Sequence, residues 1–180
     1  MTLRTLTLCL LFPLSTLASA ADSQWILQQG TLTYHVSHPL HQSEGVSHEV
    51  RGKGLCHAGQ CEFLIAVPVK SFDSGDSNRD LHMIQVVRGG QYPMITVRTH
   101  VPESNATAAT FKADLEIQFA GQTVQFKQIE FRQETQGHLI KITGTIPATV
   151  SEFKIDPPKF LTVPIRNEVP IRVDMTWRPQ

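Results

Sequence analysis

The segment Phe111-Lys-Ala-Asp-Leu-Glu-Ile-Gln-Phe119 alternates apolar and polar residues throughout. Phe111, Ala113, Leu115, Ile117 and Phe119 share one face, and Lys112, Asp114, Glu116 and Gln118 share the other. A period of two marks a β-strand with one dry and one wet side. The C-terminal stretch repeats the pattern, with Val169, Ile171, Val173, Met175 and Trp177 set against Pro170, Arg172, Asp174 and Thr176. Pro170 has no N–H for a ladder, so it belongs near a strand start or on a free edge. The same alternation runs through Leu32–Val36, Phe63–Val69, Ile95–Val101 and Ile140–Ile146. Parity changes between Val124/Phe126 and Ile129/Phe131, which predicts a β-bulge near Lys127-Gln128. Ala120-Gly-Gln-Thr123 reads as a hairpin turn.

Strands are therefore expected near 24–28 with 31–38, 45–54, 61–70, 94–102, 109–119, 122–133, 137–147 and 167–177. Nearly all connections are short, which favours antiparallel neighbours. Eight such strands, each with one apolar face, can close into a barrel, which leaves no edge and has room for side chains or one small ligand. A β-sandwich with a filled core has the same periodicity, so periodicity does not separate the two. One segment breaks the pattern. Ser77-Asn78-Arg79-Asp80 has the form of a capping box, and Leu81, Ile84 and Val87 follow at helical spacing with Met83 beside them. Gly89-Gly90 ends this short helix, expected over about 77–88, and Tyr92-Pro93 opens the next strand. Its apolar stripe needs a partner surface, and the free apolar surface of a barrel is at an open end.

The first 20 residues, MTLRTLTLCLLFPLSTLASA, are expected to be a signal peptide: one basic residue, an apolar run, then Ala18-Ser19-Ala20. The run from Leu6 to Leu17 has 12 residues, short of the ~20 a spanning helix needs, so stable membrane insertion is not expected. Residues 21–180 then form a single exported domain, periplasmic or secreted. Of 16 Lys and Arg, Arg4 departs with the leader, which leaves 15 against 16 Asp and Glu, a net −1. No basic field remains for nucleic acid. Cys9 also departs, and Cys56 and Cys61 stay as an even pair around His57-Ala-Gly-Gln60. In an oxidising compartment that spacing suits a disulfide across a tight hairpin, worth about 2 kcal/mol at most for so short a loop. A redox pair of the thioredoxin type has two intervening residues rather than four, and a zinc site wants a second pair.

The stretch DSGDSNRDLHM followed by QYPMITVRT resembles the YceI-like family of exported, lipocalin-like proteins, whose pattern is Asp-x-x-x-x-x-Arg-Asp-x-His-(Leu/Met) and then a Tyr-Pro-x-Ile strand. Later pieces keep the family order. EVRGKG resembles its Val-Arg-Gly segment, FKADLEIQFAGQTVQFKQIEF its Gly-turn hairpin, and SEFKIDPPKFLTVPIRNEVPIRVDM its closing segment. The family often starts Phe-x-Val-x-His, where this chain reads TYHVSHPLHQSEG. The resemblance spans about residues 22 to 178. It implies an antiparallel barrel around a long hydrophobic cavity that binds an isoprenoid or fatty amphiphile and performs no chemistry on it. The tail is then expected among Phe63, Ile65, Phe111, Leu115, Ile117, Phe126, Ile142, Ile171 and Val173. Arg79 and His82, at the Arg-Asp-x-His position, are candidates for a headgroup contact, with a purely structural role as the alternative.

No catalytic constellation is present: there is no Gly-x-Ser-x-Gly elbow and no phosphate-binding glycine spacing. The chain is not expected to be an enzyme or to need a cofactor. Histidine is in excess, and His35-x-x-His38-x-x-His41 makes a metal-binding module an alternative if the backbone turns at Pro39. On a straight strand His35 and His38 point to opposite faces. A filled barrel acting as an interaction unit is the remaining alternative. A barrel with a greasy mouth also allows a homodimer paired mouth to mouth.

Overall fold

The computed structural model describes residues 22–160 and 163–180, with the side chains of His41, Lys159 and Phe160 excepted. The expected signal segment lies outside the described residues. The strands are β1 (Ser23–His38), β2 (His41–Ser47), β3 (Arg51–His57), β4 (Gln60–Pro68), β5 (Met94–Pro102), β6 (Thr110–Phe119), β7 (Gln122–Gln136), β8 (Leu139–Ile146), β9 (Lys159–Phe160), β10 (Val163–Pro164) and β11 (Ile171–Pro179), with one helix, α1 (Ser77–Val86), between β4 and β5. The sheet runs β11-β8-β7-β6-β5-β4-β3-β1, and β1 pairs back onto β11, so eight antiparallel strands close a barrel.

The strand from 45 to 54 expected from the sequence is two strands. Ser47 is fully buried, and its hydroxyl accepts the Glu49 amide at 3.3 Å while bonding Ser71 Oγ at 2.6 Å. A side chain that captures the amide two residues on takes the backbone out of its ladder. The chain therefore leaves β2 there and re-enters the sheet as β3. The two share one side of β1: β3 pairs with Ser23–Ile26 and β2 with Leu32–His38. The expected pair 24–28 and 31–38 is in fact one strand, β1. The last strand starts at Ile171, directly after Pro170, and so later than the expected 167.

Cys56 and Cys61 are directly opposed across the β3–β4 hairpin and form the disulfide. The bulge falls at its expected place: Ala113 pairs with Ile129 but Leu115 with Phe126, so Asp114 faces both Lys127 and Gln128. Gln128 takes the left-handed conformation, φ 55°. The Asp114 carboxylate accepts the Gln128 amide at 2.8 Å and Lys127 Nζ at 3.0 Å. These two contacts, the amide first, hold its pKa below the ordinary 3.8. With the bulge in place, Phe126, Ile129 and Phe131 are all buried.

The cap of helix α1 lies one residue earlier than the capping-box reading placed it. Asp76 is the N-cap and accepts the amides of Asn78 (3.0 Å) and Arg79 (3.2 Å). Asp80 reaches back to Ser74 instead, accepting its amide at 3.1 Å and its hydroxyl at 2.5 Å. At the other end Arg88, φ 56°, takes the left-handed position expected of the glycines. Its guanidinium donates to the Ala120 carbonyl in the β6–β7 turn and lies over the Tyr92 ring. The start of the segment is tied to β2 by a reciprocal Val46–Asp73 backbone pair at 2.8 and 2.9 Å. Leu81, expected in the apolar stripe, is 59% exposed, because the stripe runs through Met83, Ile84, Val86 and Val87. Among the described residues no helix is long and apolar enough to cross a membrane.

Two outcomes are expected. Asp76→Ala removes the N-cap, lowers stability by about 1 kcal/mol and raises amide exchange in the first turn of α1 before the rest of the protein; unchanged exchange at Asn78 and Arg79 would contradict this. Asp114 has a lowered folded pKa, so its contribution is complete above the ordinary 3.8 and disappears as pH falls through the lowered value. Thermal melts across the acid range should therefore show a steeper acid loss in the wild type than in Asp114→Asn, and parallel curves would contradict the assignment.

Candidate functional site

The inward faces of the strands do not fill the barrel evenly. At the α1 end they enclose a cavity of about 530 Å³. Leu32, Ile95, Val97, Ile117, Ile146 and Ile171 form its walls. Met83 and Val86 of α1 and the adjoining Val87 cover it, and Val150, Phe153, Ile155 and Ile165 close the side formed by the segment between β8 and β11. That segment is folded back deliberately by its own polar groups. Glu152 accepts the Thr149 amide and hydroxyl, both at 2.8 Å, while Asn167 bonds the Ser151 amide (3.1 Å) and hydroxyl (2.9 Å). The resulting turn carries Phe153 inward against the rings of Phe119 (5.3 Å) and Phe126 (6.2 Å).

The polar groups on the lining are few: Tyr34, Ser43, Asp76, Arg79, His82 and Thr149. Asp76 and His82 are exposed and mark the mouth beside α1. Arg79 is oriented by Ser74, to whose hydroxyl it donates from Nε (2.9 Å) and to whose carbonyl it donates from Nη2 (3.1 Å). The same hydroxyl donates to Asp80, so Arg79, Ser74 and Asp80 form one relay. Tyr34 packs against Phe72 with the rings tilted and their centroids 5.5 Å apart. Burial first and the Asp80 charge second raise its pKa above 10.0, against a smaller opposite effect of Arg79. Its hydroxyl therefore stays a neutral donor at physiological pH.

The wall beside the mouth is pinned by His38. The side chain is 5% exposed; Nδ1 accepts the Leu40 amide and Nε2–H donates to the Val163 carbonyl, both at 3.2 Å. This ties the β1–β2 hairpin to β10. His35 points the other way, to Glu44 at 3.3 Å, as alternation along a continuous strand requires. The His41 side chain lies outside the described residues. Among the described residues no three His, Cys, Asp or Glu side chains gather to hold a metal ion.

The residues expected around a tail separate into three levels. Ile117 and Ile171 line the cavity, and Arg79 and His82 stand at its mouth. Phe63, Phe111 and Ile142 line a different space of about 40 Å³ at the disulfide end, with Trp25 and Trp177. Ile65, Leu115, Phe126 and Val173 are buried and line neither. Sequence reasoning passed over Tyr34, Phe72 and Phe153 as cavity residues. Tyr34 shares the inward face of β1 with Leu32 and Val36, a signal that was available. Phe72 and Phe153 sit in irregular segments, where no periodicity reports an inward direction.

Residues 26–177 match the YceI-like domain family. No curated protein sequence matches the chain. Among solved structures, Burkholderia cenocepacia BcnA is 14% identical with a TM-score of 0.69, over 82% of this chain and 95% of that one. A polyisoprenoid binding domain from Saccharophagus degradans, implicated in plant cell wall breakdown, is 10% identical with a TM-score of 0.71, over 87% of this chain and 98% of that one. The Campylobacter jejuni YCEI protein is 12% identical with a TM-score of 0.51, over 64% and 70%. At these identities the likeness is one of fold, and the closed barrel with one helix is what they share. With its family match running from the first strand to the last, the chain belongs to the YceI-like domain family.

Proposed function

We propose that this protein is an exported carrier that holds an isoprenoid or other long-chain amphiphilic lipid in the barrel and performs no chemistry on it. One observation carries the reading: an apolar cavity of about 530 Å³ has its charged groups gathered at the α1 mouth. That is the distribution a greasy tail with a polar end requires. The volume lies within the ~300–1,000 Å³ of ordinary ligand pockets. Each buried methylene contributes about 0.8 kcal/mol, so a long tail binds without any polar recognition, and Tyr34, Arg79 and His82 are left to orient the head. The fold likeness to a polyisoprenoid binding domain supports the ligand class. Export, with a periplasmic or secreted location, is supported by the leader-like N-terminus and by the Cys56–Cys61 disulfide, a bond typical of oxidising compartments.

Native mass spectrometry of the purified protein, followed by organic extraction, tests this. The expected result is an extra mass of a few hundred daltons that partitions into solvent as a long-chain lipid. Ile117→Asp places a charge on the cavity wall and should abolish that mass while the circular dichroism stays that of the wild type. A bare protein mass, unchanged after incubation with prenyl alcohols, quinones and fatty amides, would overturn the proposal.

A further inference from the structure

The cavity stops partway down the barrel. On β6, Ile117 and Phe119 line the large cavity and Phe111 the small space below, while Ala113 and Leu115 between them line neither. On β11, Ile171 lines the upper space and Trp177 the lower, with Val173 and Met175 between. The same sequence of levels recurs on β8, where Ile146 is above, Ile140 and Ile142 are below, and Gly144 lies between. These intervening residues, with Ile65 of β4, which lines neither space, form a layer between the two. Its members Ala113, Leu115, Phe131, Val173 and Met175 are each 4–7% exposed. Phe131 completes the layer by lying across Gly144, where a Cβ would sit 2.5 Å from the ring, and it stacks on Phe111 at 5.6 Å. Close packing of this kind leaves no path for a chain. The space beneath is about 40 Å³, little more than the ~30 Å³ one water takes in the liquid. It is lined mostly by apolar side chains, Trp25, Phe63 and Trp177 among them, so its size alone keeps a chain out.

We infer that this layer is the floor of the binding site and sets the chain length of the ligand. At roughly 30 Å³ per non-hydrogen atom, a methylene being close to a water in size, a cavity of about 530 Å³ holds about 18 such atoms. The ligand class is therefore an amphiphile with a farnesyl- to geranylgeranyl-length tail or an acyl chain of similar bulk. A much longer polyprenyl chain would leave most of its length outside the mouth, where its apolar surface gains nothing from the protein. The inference rests on the carrier reading and adds an upper limit to it.

The test is competition. The full protein is equilibrated with an equimolar mixture of geraniol, farnesol, geranylgeraniol and solanesol in shared detergent micelles, and the bound species are read by native mass spectrometry. Farnesol and geranylgeraniol should dominate, with solanesol at least tenfold less abundant. Ile117→Phe narrows the cavity above the floor and should move the distribution toward geraniol. Leu115→Ala thins the floor and should move it toward longer chains; if that variant does not fold, Ile117→Phe carries the test. Solanesol bound as well as geranylgeraniol, or a distribution unmoved by Ile117→Phe, would overturn the length limit while leaving the carrier reading intact. Failure of all four alcohols to bind would overturn the length limit, and the carrier reading with it where quinones and fatty amides fail as well.

Discussion

The barrel depends on the pairing of its first strand with its last. β1 and β11 run antiparallel from Trp25 opposite Pro179 to Tyr34 opposite Ile171, with one irregularity between Leu27 and Gln29. Without that pairing the sheet would have two free edges and no inside. With it, every strand acquires an inward face, and the alternating apolar residues of eight strands converge on one axis. The pairing runs on past Pro179, since the Gln180 amide also donates to the Gln24 carbonyl at 2.7 Å. Closure is what turns an amphipathic sheet into a container, because each strand has already placed its polar side chains in water.

What the container holds is decided by side-chain size along its axis. Toward the disulfide end the inward positions are aromatic: Trp177 packs edge-on to Phe63 at 5.1 Å, and Phe63 edge-on to Trp25 at 6.1 Å. Rings of this size meet across the axis and leave only a small void. Toward the helix the walls are mostly Ile, Val and Leu, which do not reach one another, and α1 covers the gap without entering it. The helix is held by its surroundings more than by its own apolar surface, since none of its ten residues is fully buried. Asp76 caps it, the Val46–Asp73 pair anchors its approach and Arg88 anchors its exit. An element fixed at both ends but lightly packed in the middle suits the entrance of a cavity.

Much of this was legible in the residues. Alternation revealed most strands, the parity change at Lys127-Gln128 located the bulge, and the sharply started run after Ser71 revealed the helix. Its cap was missed by one residue because Asp76 and Ser77 are both good N-caps, and Asp80 has a better partner in Ser74 than in Ser77. The break at Ser47 was not legible, since it depends on a hydroxyl bonding Ser71, 24 residues away. The site was legible in direction but not in depth. Period two tells that Phe63, Phe111, Leu115 and Ile117 all face inward; it does not tell which level of the barrel each occupies, because level depends on the stagger between strands. That is why an inward set read as one pocket resolves into a cavity, a floor and a filled end.

The central claim is that a ligand tail enters beneath α1 and ends on the layer of Leu115, Val173 and Met175. Crystallography with a fatty amphiphile carrying bromine at its tail terminus tests it most directly. The account predicts a single anomalous bromine peak directly above that layer, with the polar head beside Arg79 and His82. A bromine peak in the space among Trp25, Phe63 and Trp177, or outside the barrel, would contradict it.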